Sequence, residues 1–147
     1  MNIRPPVVDD WSAMADVAQG AHGYTPLLPG PFDRSIWIEN WRTFSLSDRA
    51  LILNLEIDGT VRGGICGSLT TNPTNNELIA CMIWWHITPA YRGSGLKLLR
   101  RWIDLARERG AGRLTLNHLL DLDSKRMESL YLRMGMRPLE KTYILDL

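Results

Sequence analysis

Residues 78–99 constrain this chain more than any other stretch. The run Leu78–Ile87 is apolar at almost every position, as expected of a strand buried on both faces. Pro89 cannot join a ladder and pushes Thr88 toward extended backbone, so the strand should end there. Beyond Gly95 the period changes, and Leu96, Leu99, Ile103 and Ala106 recur on one face of a helix. The stretch reads strand, glycine turn, helix. Such a turn aims the N–H groups and the positive end of a helix dipole at one point, which favours an anion. Gly93 and Gly95 let the backbone approach that anion closely, and a phosphate or pyrophosphate is the expected guest. The same residues would serve in a turn that holds no ligand.

The remaining segments read as strands and helices around this unit. Residues 1–8 are a short strand candidate, and Asp9 or Asp10 can cap a helix striped with Trp11, Met14, Ala15 and Ala18 and ended by Gly20 and Gly23. A Pro/Gly-rich loop follows from His22, after which Asp33 can cap a second helix bearing Trp37, Trp41 and Phe44. Ala50–Ile57 and residues 61–70 form a hairpin around Asp58-Gly59, with Gly63, Gly64 and Gly67 weakening the return strand. The long helix should stop at Gly110 or Gly112. Residues 113–120 are a further strand, 124–134 a helix with Met127, Leu130, Tyr131 and Met134 on one face, and 138–147 a closing strand. A meander that gives way to alternating helices and strands is an α/β fold. Its central sheet is expected to be mixed and mostly antiparallel, flanked by helices, in a single domain over residues 1–147.

Composition narrows the function classes. The 147 residues, 45% hydrophobic and 22% charged, suit one domain with a sizeable core. A net charge of +1 argues against bulk nucleic-acid binding, which needs a basic surface to displace counterions. Cys66 and Cys81 lie in apolar strands without metal-ligand spacing, so both are expected to be reduced, with no metal site. Residues 1–10 have no signal-peptide core and no run reaches the length of a membrane span, so a cytoplasmic protein is expected.

Two motifs carry a family resemblance. Ile87-Thr88-Pro89 leads into Arg92-Gly93-Ser94-Gly95-Leu96-Lys97, and far downstream stands Tyr131-Leu132-Arg133-Met134-Gly135-Met136. The chain resembles the GNAT family of N-acetyltransferases, whose pyrophosphate loop reads Q/R-x-x-G-x-G/A after the fourth strand and whose fourth helix ends in Tyr-x-x-x-Gly-Phe. Arg92 and Gly95 match, whereas Lys97 stands where the family has Gly or Ala. The resemblance implies acetyl-coenzyme A as cofactor, with the backbone of Arg92, Gly93, Ser94, Gly95, Leu96 and Lys97 on its pyrophosphate. It also implies main-chain pairing of the pantetheine arm near Ile87, a cofactor contact at Ser124, where the family often has Asn, and Tyr131 as proton donor to the departing thiolate. Read without it, Ser124 is a helix cap, Tyr131 a core residue with a wet hydroxyl, and Lys97, Arg100 and Arg101 the solvated face of an amphipathic helix.

Acetyl transfer also needs a base, because an amine is mostly protonated at neutral pH. Family members often carry it on the fourth strand, on the face sharing parity with Ile87. Here those positions hold Ile83 and Cys81, neither a useful base. His86 has the opposite parity unless a bulge intervenes, and Glu77 lies at the strand's far end. His118, on the strand after the long helix, is the catalytic candidate beside Tyr131, although a lone His among leucines also reads as a hydrogen-bonded core residue. By family analogy His22 and Tyr24 line the acceptor site.

These residues lead to an acetyl-coenzyme A-dependent N-acetyltransferase that transfers by direct attack in a ternary complex. The acceptor is a small-molecule or peptide amine: a polyamine-like or antibiotic amine, a protein N-terminus or a lysine. No membrane partner is expected, nucleic acid is disfavoured, and a homodimer is an admissible assembly. The rival readings are an inert GNAT-like module that binds coenzyme A or a protein, and an acetylating toxin acting on aminoacyl-tRNA.

Overall fold

The computed structural model describes residues 1–22, 30–118 and 124–145. The chain divides into two compact units, Met1–Asn117 and His118–Leu147. In the first, strands β1 (Asn2–Arg4), β2 (Ala50–Ile57), β3 (Thr60–Thr71), β4 (Leu78–Ile87) and β5 (Arg113–Thr115) form one sheet in that order. Neighbours are antiparallel except β5, which runs parallel to β4. The sheet is thus mixed and mostly antiparallel, as the alternation of segments predicts.

Local chemistry sets most boundaries. Asp58 and Gly59 both take positive φ, 50° and 72°, the backbone of a two-residue hairpin turn between β2 and β3. Helix α2 (Arg34–Ser45) is capped by Asp33, whose carboxylate accepts the Ile36 N–H at 2.9 Å. Helix α1 (Trp11–His22) runs through Gly20, while Gly23, also expected to end it, lies outside the described residues. Gly67, which reads from sequence as a weak point of β3, is required there. A Cβ would drive into the Cys81 carbonyl and the Trp102 ring.

The sheet is covered on both faces. On one, α1 and α2 pack Trp11, Met14, Trp37, Trp41 and Phe44 against Ile52, Val61, Cys66 and Trp84. On the other lies helix α3 (Gly95–Glu108), which buries Leu98, Leu99, Trp102, Ile103 and Ala106, with Leu96 at the margin of the stripe. Trp102 is wholly buried, and its indole N–H reaches the Leu51 carbonyl at 3.0 Å, which satisfies its one polar atom. Asp10, buried at the start of α1, ties three segments together. It takes two hydrogen bonds from Arg4 at 2.6 and 2.9 Å, one from the Val7 N–H at 2.8 Å and one from Asn54 Nδ2 at 3.0 Å. Burial alone would raise its pKa, but these donors together hold the carboxyl below its ordinary value.

In the second unit helix α4 (Ser124–Arg133) ends where Gly135 adopts φ 82°. Residues 136–145 form no strand, which corrects the expected closing strand over 138–147; Leu147 itself lies outside the described residues. Leu139, Tyr143, Ile144 and Leu145 are exposed. A strand exists only by pairing, and β-branched or aromatic composition does not supply a neighbour. The expected strand over 1–8 is likewise shorter, reduced to Asn2–Arg4, and in the described part of the one expected over 113–120 only Arg113–Thr115 find ladder partners, Leu119 and Leu120 lying outside the described residues.

Candidate functional site

The site begins with a fault in the sheet. Cys66 opposes Trp84 while the next residue, Gly67, opposes Met82, so Ile83 is an extra residue bulged out of β4 and left 49% exposed. Beyond this point β4 has lost its other neighbour. It pairs with β5 through Ile79–Arg113, Ala80–Leu114 and Cys81–Thr115, and among the described residues no strand ladders onto that side of β4 beyond Cys81. The two strands form a fork. An open edge of this kind is a template for an extended ligand.

The bulge also resets the faces. Trp85 and Ile87 lie toward α3, since a Cβ on Gly95 would meet Trp85 Cζ2 and Ile87 Cδ1, each at 3.3 Å. Trp84 and His86 lie on the face of α1 and α2, with ring centroids 6.4 Å apart and Trp37 6.3 Å from Trp84. Ile83 and Cys81 therefore do not share a face with Ile87. Ile83 is the bulge, and Cys81, opposite Ser68, continues the face of His86. The parity expectation fails because it assumes an unbroken period of two, and sequence periodicity carries no mark of a bulge.

Past the fork the predicted turn is in place. Ile87 is buried at the end of β4, Arg92, Gly93 and Ser94 belong to a 3₁₀ turn over Pro89–Ser94, and Gly95, Leu96 and Lys97 open α3. The turn is pinned by Thr88 N–H to the Arg62 carbonyl and Tyr91 N–H to the Thr88 carbonyl, both at 2.8 Å. The two glycines do different work. A Cβ at Gly93 would meet nothing within 4 Å among the described residues, so open space faces it there, whereas Gly95 is held against Trp85 and Ile87. The Gly95 N–H is donated to the Arg92 carbonyl and is committed within the chain. Lys97 is exposed, and Arg101 pairs with Glu108 of its own helix, the solvated role expected of it.

Cations border the turn. The Arg62 guanidinium stands over the Tyr91 ring, 5.2 Å from its centroid, with a buried Nε that has no hydrogen-bond partner among the described residues. Half-buried His86 has its pKa lowered, first by burial and then by the charge of Arg92. Neutral at physiological pH, it can accept a proton. It stands on the face opposite Ile87, as its place in the strand predicts, because the bulge at Ile83 precedes both residues and leaves their relation unchanged.

The other predicted residues gather in the second unit. His118 follows β5 outside any strand, which corrects its expected place within one; its expected neighbours Leu119 and Leu120 lie outside the described residues. Its Nε2 is 3.3 Å from Ser124 Oγ, and its ring is 5.7 Å from that of Tyr131. Tyr131 is buried, and burial pushes its phenol up to about 12. It is protonated at neutral pH. Ser124, His118 and Tyr131 thus form one cluster, and Ile87 with residues 92–97 form another. His22 sits at the end of α1 with Nε2 3.0 Å from the Gly30 carbonyl, and Tyr24 lies outside the described residues.

Solved structures share the fold along the whole chain. A ribosomal-protein-alanine N-acetyltransferase from Brucella melitensis biovar Abortus 2308 is 18% identical with a TM-score of 0.79, over 99% of this chain and 98% of that one. An aminoglycoside antibiotic 6'-N-acetyltransferase from Acinetobacter haemolyticus is 15% identical with a TM-score of 0.75, over 100% and 98%. The glucosamine-6-phosphate N-acetyltransferase of Arabidopsis thaliana is 14% identical with a TM-score of 0.74, over 99% and 98%. No curated protein sequence matches. The model of the acetyltransferase (GNAT) family matches residues 11–136, and with the forked sheet and the glycine turn this establishes that the chain belongs to the GNAT family.

Proposed function

We propose that this protein is an N-acetyltransferase that moves the acetyl group of acetyl-coenzyme A to a primary amine by direct attack in a ternary complex. The observation that carries the reading is the fork. Beyond Cys81, β4 offers an edge onto which no described strand ladders, and that edge runs straight into the glycine turn. The edge suits the amide-bearing pantetheine arm, and the open space at Gly93 suits the pyrophosphate. Bound there, the cofactor supplies an acetyl group activated as a thioester. The structural neighbours support one domain over residues 1–147, with both units in the same enzyme.

The chain's own residues then have distinct tasks. In this reading the turn from Arg92 to Lys97 binds and orients, with Lys97 and Arg92 as cationic partners for phosphate. His86 takes a proton from the acceptor's ammonium so that the neutral amine attacks the thioester carbonyl, with His118 as the competing base. Tyr131, held protonated by burial, gives its proton to the sulfur as the C–S bond breaks. Lys97 departs from the family pattern and favours the inert-module reading, but its exposure leaves the turn itself clear.

The fold leaves the acceptor open. The three neighbours above act, by their names, on a ribosomal protein alanine, an aminoglycoside and a sugar phosphate, at nearly equal similarity to this chain. A soluble cytoplasmic setting agrees with the two free cysteines, and no described helix is long and apolar enough to cross a membrane. The test is thermal stabilisation by coenzyme A, followed by thiol release from acetyl-coenzyme A with small amines, peptides and aminoacyl-tRNA as acceptors. Stabilisation with turnover on an amine is the expected result; stabilisation with no turnover on any acceptor supports the inert module.

A further inference from the structure

The point where the fork opens is fixed by a side chain. Continued in register, the parallel ladder of β4 and β5 would pass from Cys81–Thr115 to the next residues, but β5 ends at Thr115 and β4 bulges at Ile83. The Met82 carbonyl lies just where the backbone ladder stops. It accepts from Asn117 Nδ2 at 3.2 Å, across the gap from the segment that follows β5. Among the described residues, the tie that follows the final ladder pair is thus an amide side chain reaching to the residue before the bulge.

We propose that Asn117 is a positioning residue that sets the depth of the fork and, through it, the length of acyl group the site accepts. This rests on the acetyltransferase reading above. A backbone ladder can zip or unzip by a residue with little change in energy per step, whereas a side chain bonded to one carbonyl pins the split at one place. An extended arm lying along the open edge of β4 meets this tie at its inner end. The acyl group it carries lies there, and the Asn117 side chain bounds the space beyond it. Removing the donor leaves the Met82 carbonyl without that hydrogen bond, at a cost that corresponds to up to about a tenfold change in an equilibrium constant.

Two variants separate the tie from the bulk of the side chain. Asn117→Asp keeps the size and loses the donor; Asn117→Ala loses both. Hydrogen exchange on the full chain should show the amides from Met82 to Trp84 exchanging about tenfold faster in both variants, with amides of β2 and β3 unchanged. With acetyl-coenzyme A, both should raise KM by up to about tenfold with a smaller change in kcat. Only Asn117→Ala should shift preference toward propionyl- and butyryl-coenzyme A, by several-fold or more, since a methylene of space is worth roughly tenfold or more in a fitted pocket. A residue that merely stabilised the fold would move the melting temperature and leave the acyl preference alone. Wild-type exchange rates in Asn117→Asp would overturn the tie, and an unchanged acyl preference in Asn117→Ala would overturn the length limit. The exchange arm needs no turnover, so it decides the tie even if the wild type transfers no acetyl group. That second result would count against the acetyltransferase reading and the length limit together. Should Asn117→Ala not fold, Asn117→Ser supplies the smaller side chain for the acyl comparison.

Discussion

The Met136 N–H donates to the Tyr131 carbonyl at 3.0 Å, one step beyond the bond from the Gly135 N–H to the Leu132 carbonyl, also at 3.0 Å. This nested pair closes α4, with Gly135 at φ 82° in the left-handed position that such a stop requires. The Tyr-x-x-x-Gly spacing thus has a structural cause independent of chemistry: Tyr131 is held in the last turn by its own carbonyl. Gly135→Ala forces a Cβ into that conformation at about 1 kcal/mol, and calorimetry should show a melting temperature lower by about 2–4 °C. An unchanged melting temperature would mean that the stop adjusts freely and that the glycine serves something else.

The hydroxyl of Tyr131 can be tested apart from its ring. Tyr131→Phe should retain stabilisation by coenzyme A while turnover falls by about 10²- to 10⁴-fold, the usual loss of a general acid. Full activity would assign the proton to solvent or another group. A variant that unfolds would make the phenol a structural partner in the core.

Gly93 and Gly95 should respond oppositely to substitution. Gly95→Ala presses a methyl onto Ile87 and Trp85, so the unliganded protein should melt lower. Gly93→Asp meets open space, so its melting temperature should match the wild type while stabilisation by coenzyme A disappears, because a carboxylate repels phosphate at the mouth of the turn. Equal stabilisation in Gly93→Asp and wild type would remove Gly93 from the anion site.

His86 has a depressed pKa in the folded protein, so the native state refuses a proton that the unfolded chain accepts below about 6.5. Its contribution to stability is therefore full above that pH and is lost as pH falls through the folded value. In activity the same shift places the acid limb of kcat/KM below 6.5 and leaves a plateau at neutral pH. His86→Gln should flatten that limb and lower kcat by 10²-fold or more, whereas His118→Gln should leave the limb in place. The reverse pattern would transfer the role of base to His118.

Asp10 should govern acid stability. Its carboxyl titrates below the ordinary value in the folded protein, so its stabilisation is complete above the usual carboxylate range and disappears as pH drops through the folded pKa. Asp10→Asn leaves Arg4 with Glu56 as its one acidic partner among the described residues. At pH 7 the melting temperature should fall by roughly 5–10 °C, and the gap between variant and wild type should narrow as both are acidified. A gap that stays constant with pH would mean that packing, not charge, accounts for the loss.

Much of the frame is legible from the residues because local rules dictate it. The extents of β2 and β4, the Asp58-Gly59 turn, the Asp33 cap and the helix starting at Gly95 each follow from a short-range preference. Periods of two and 3.6, φ beyond reach of most side chains and a cap's reach to a neighbouring N–H act within a few residues, and these are written in the sequence. The glycine turn from strand to helix at Arg92 to Lys97 is legible for the same reason.

What only the tertiary structure decided depends on partners distant in the chain. Ile83 bulges because β3 and β4 pair in a shifted register on either side of it, and this moves Cys81 to the face of His86. Gly67 is needed because Trp102 and the Cys81 carbonyl arrive from elsewhere. The 138–147 segment has the composition of a strand but gains none within its described part, since a ladder needs a second strand and composition cannot supply one. Asn117, with no motif around it, acquires its place from a carbonyl 35 positions away. Local propensity proposes elements; register, bulges and long-range hydrogen bonds decide which side chains meet, because their energies exist only once the strands are paired.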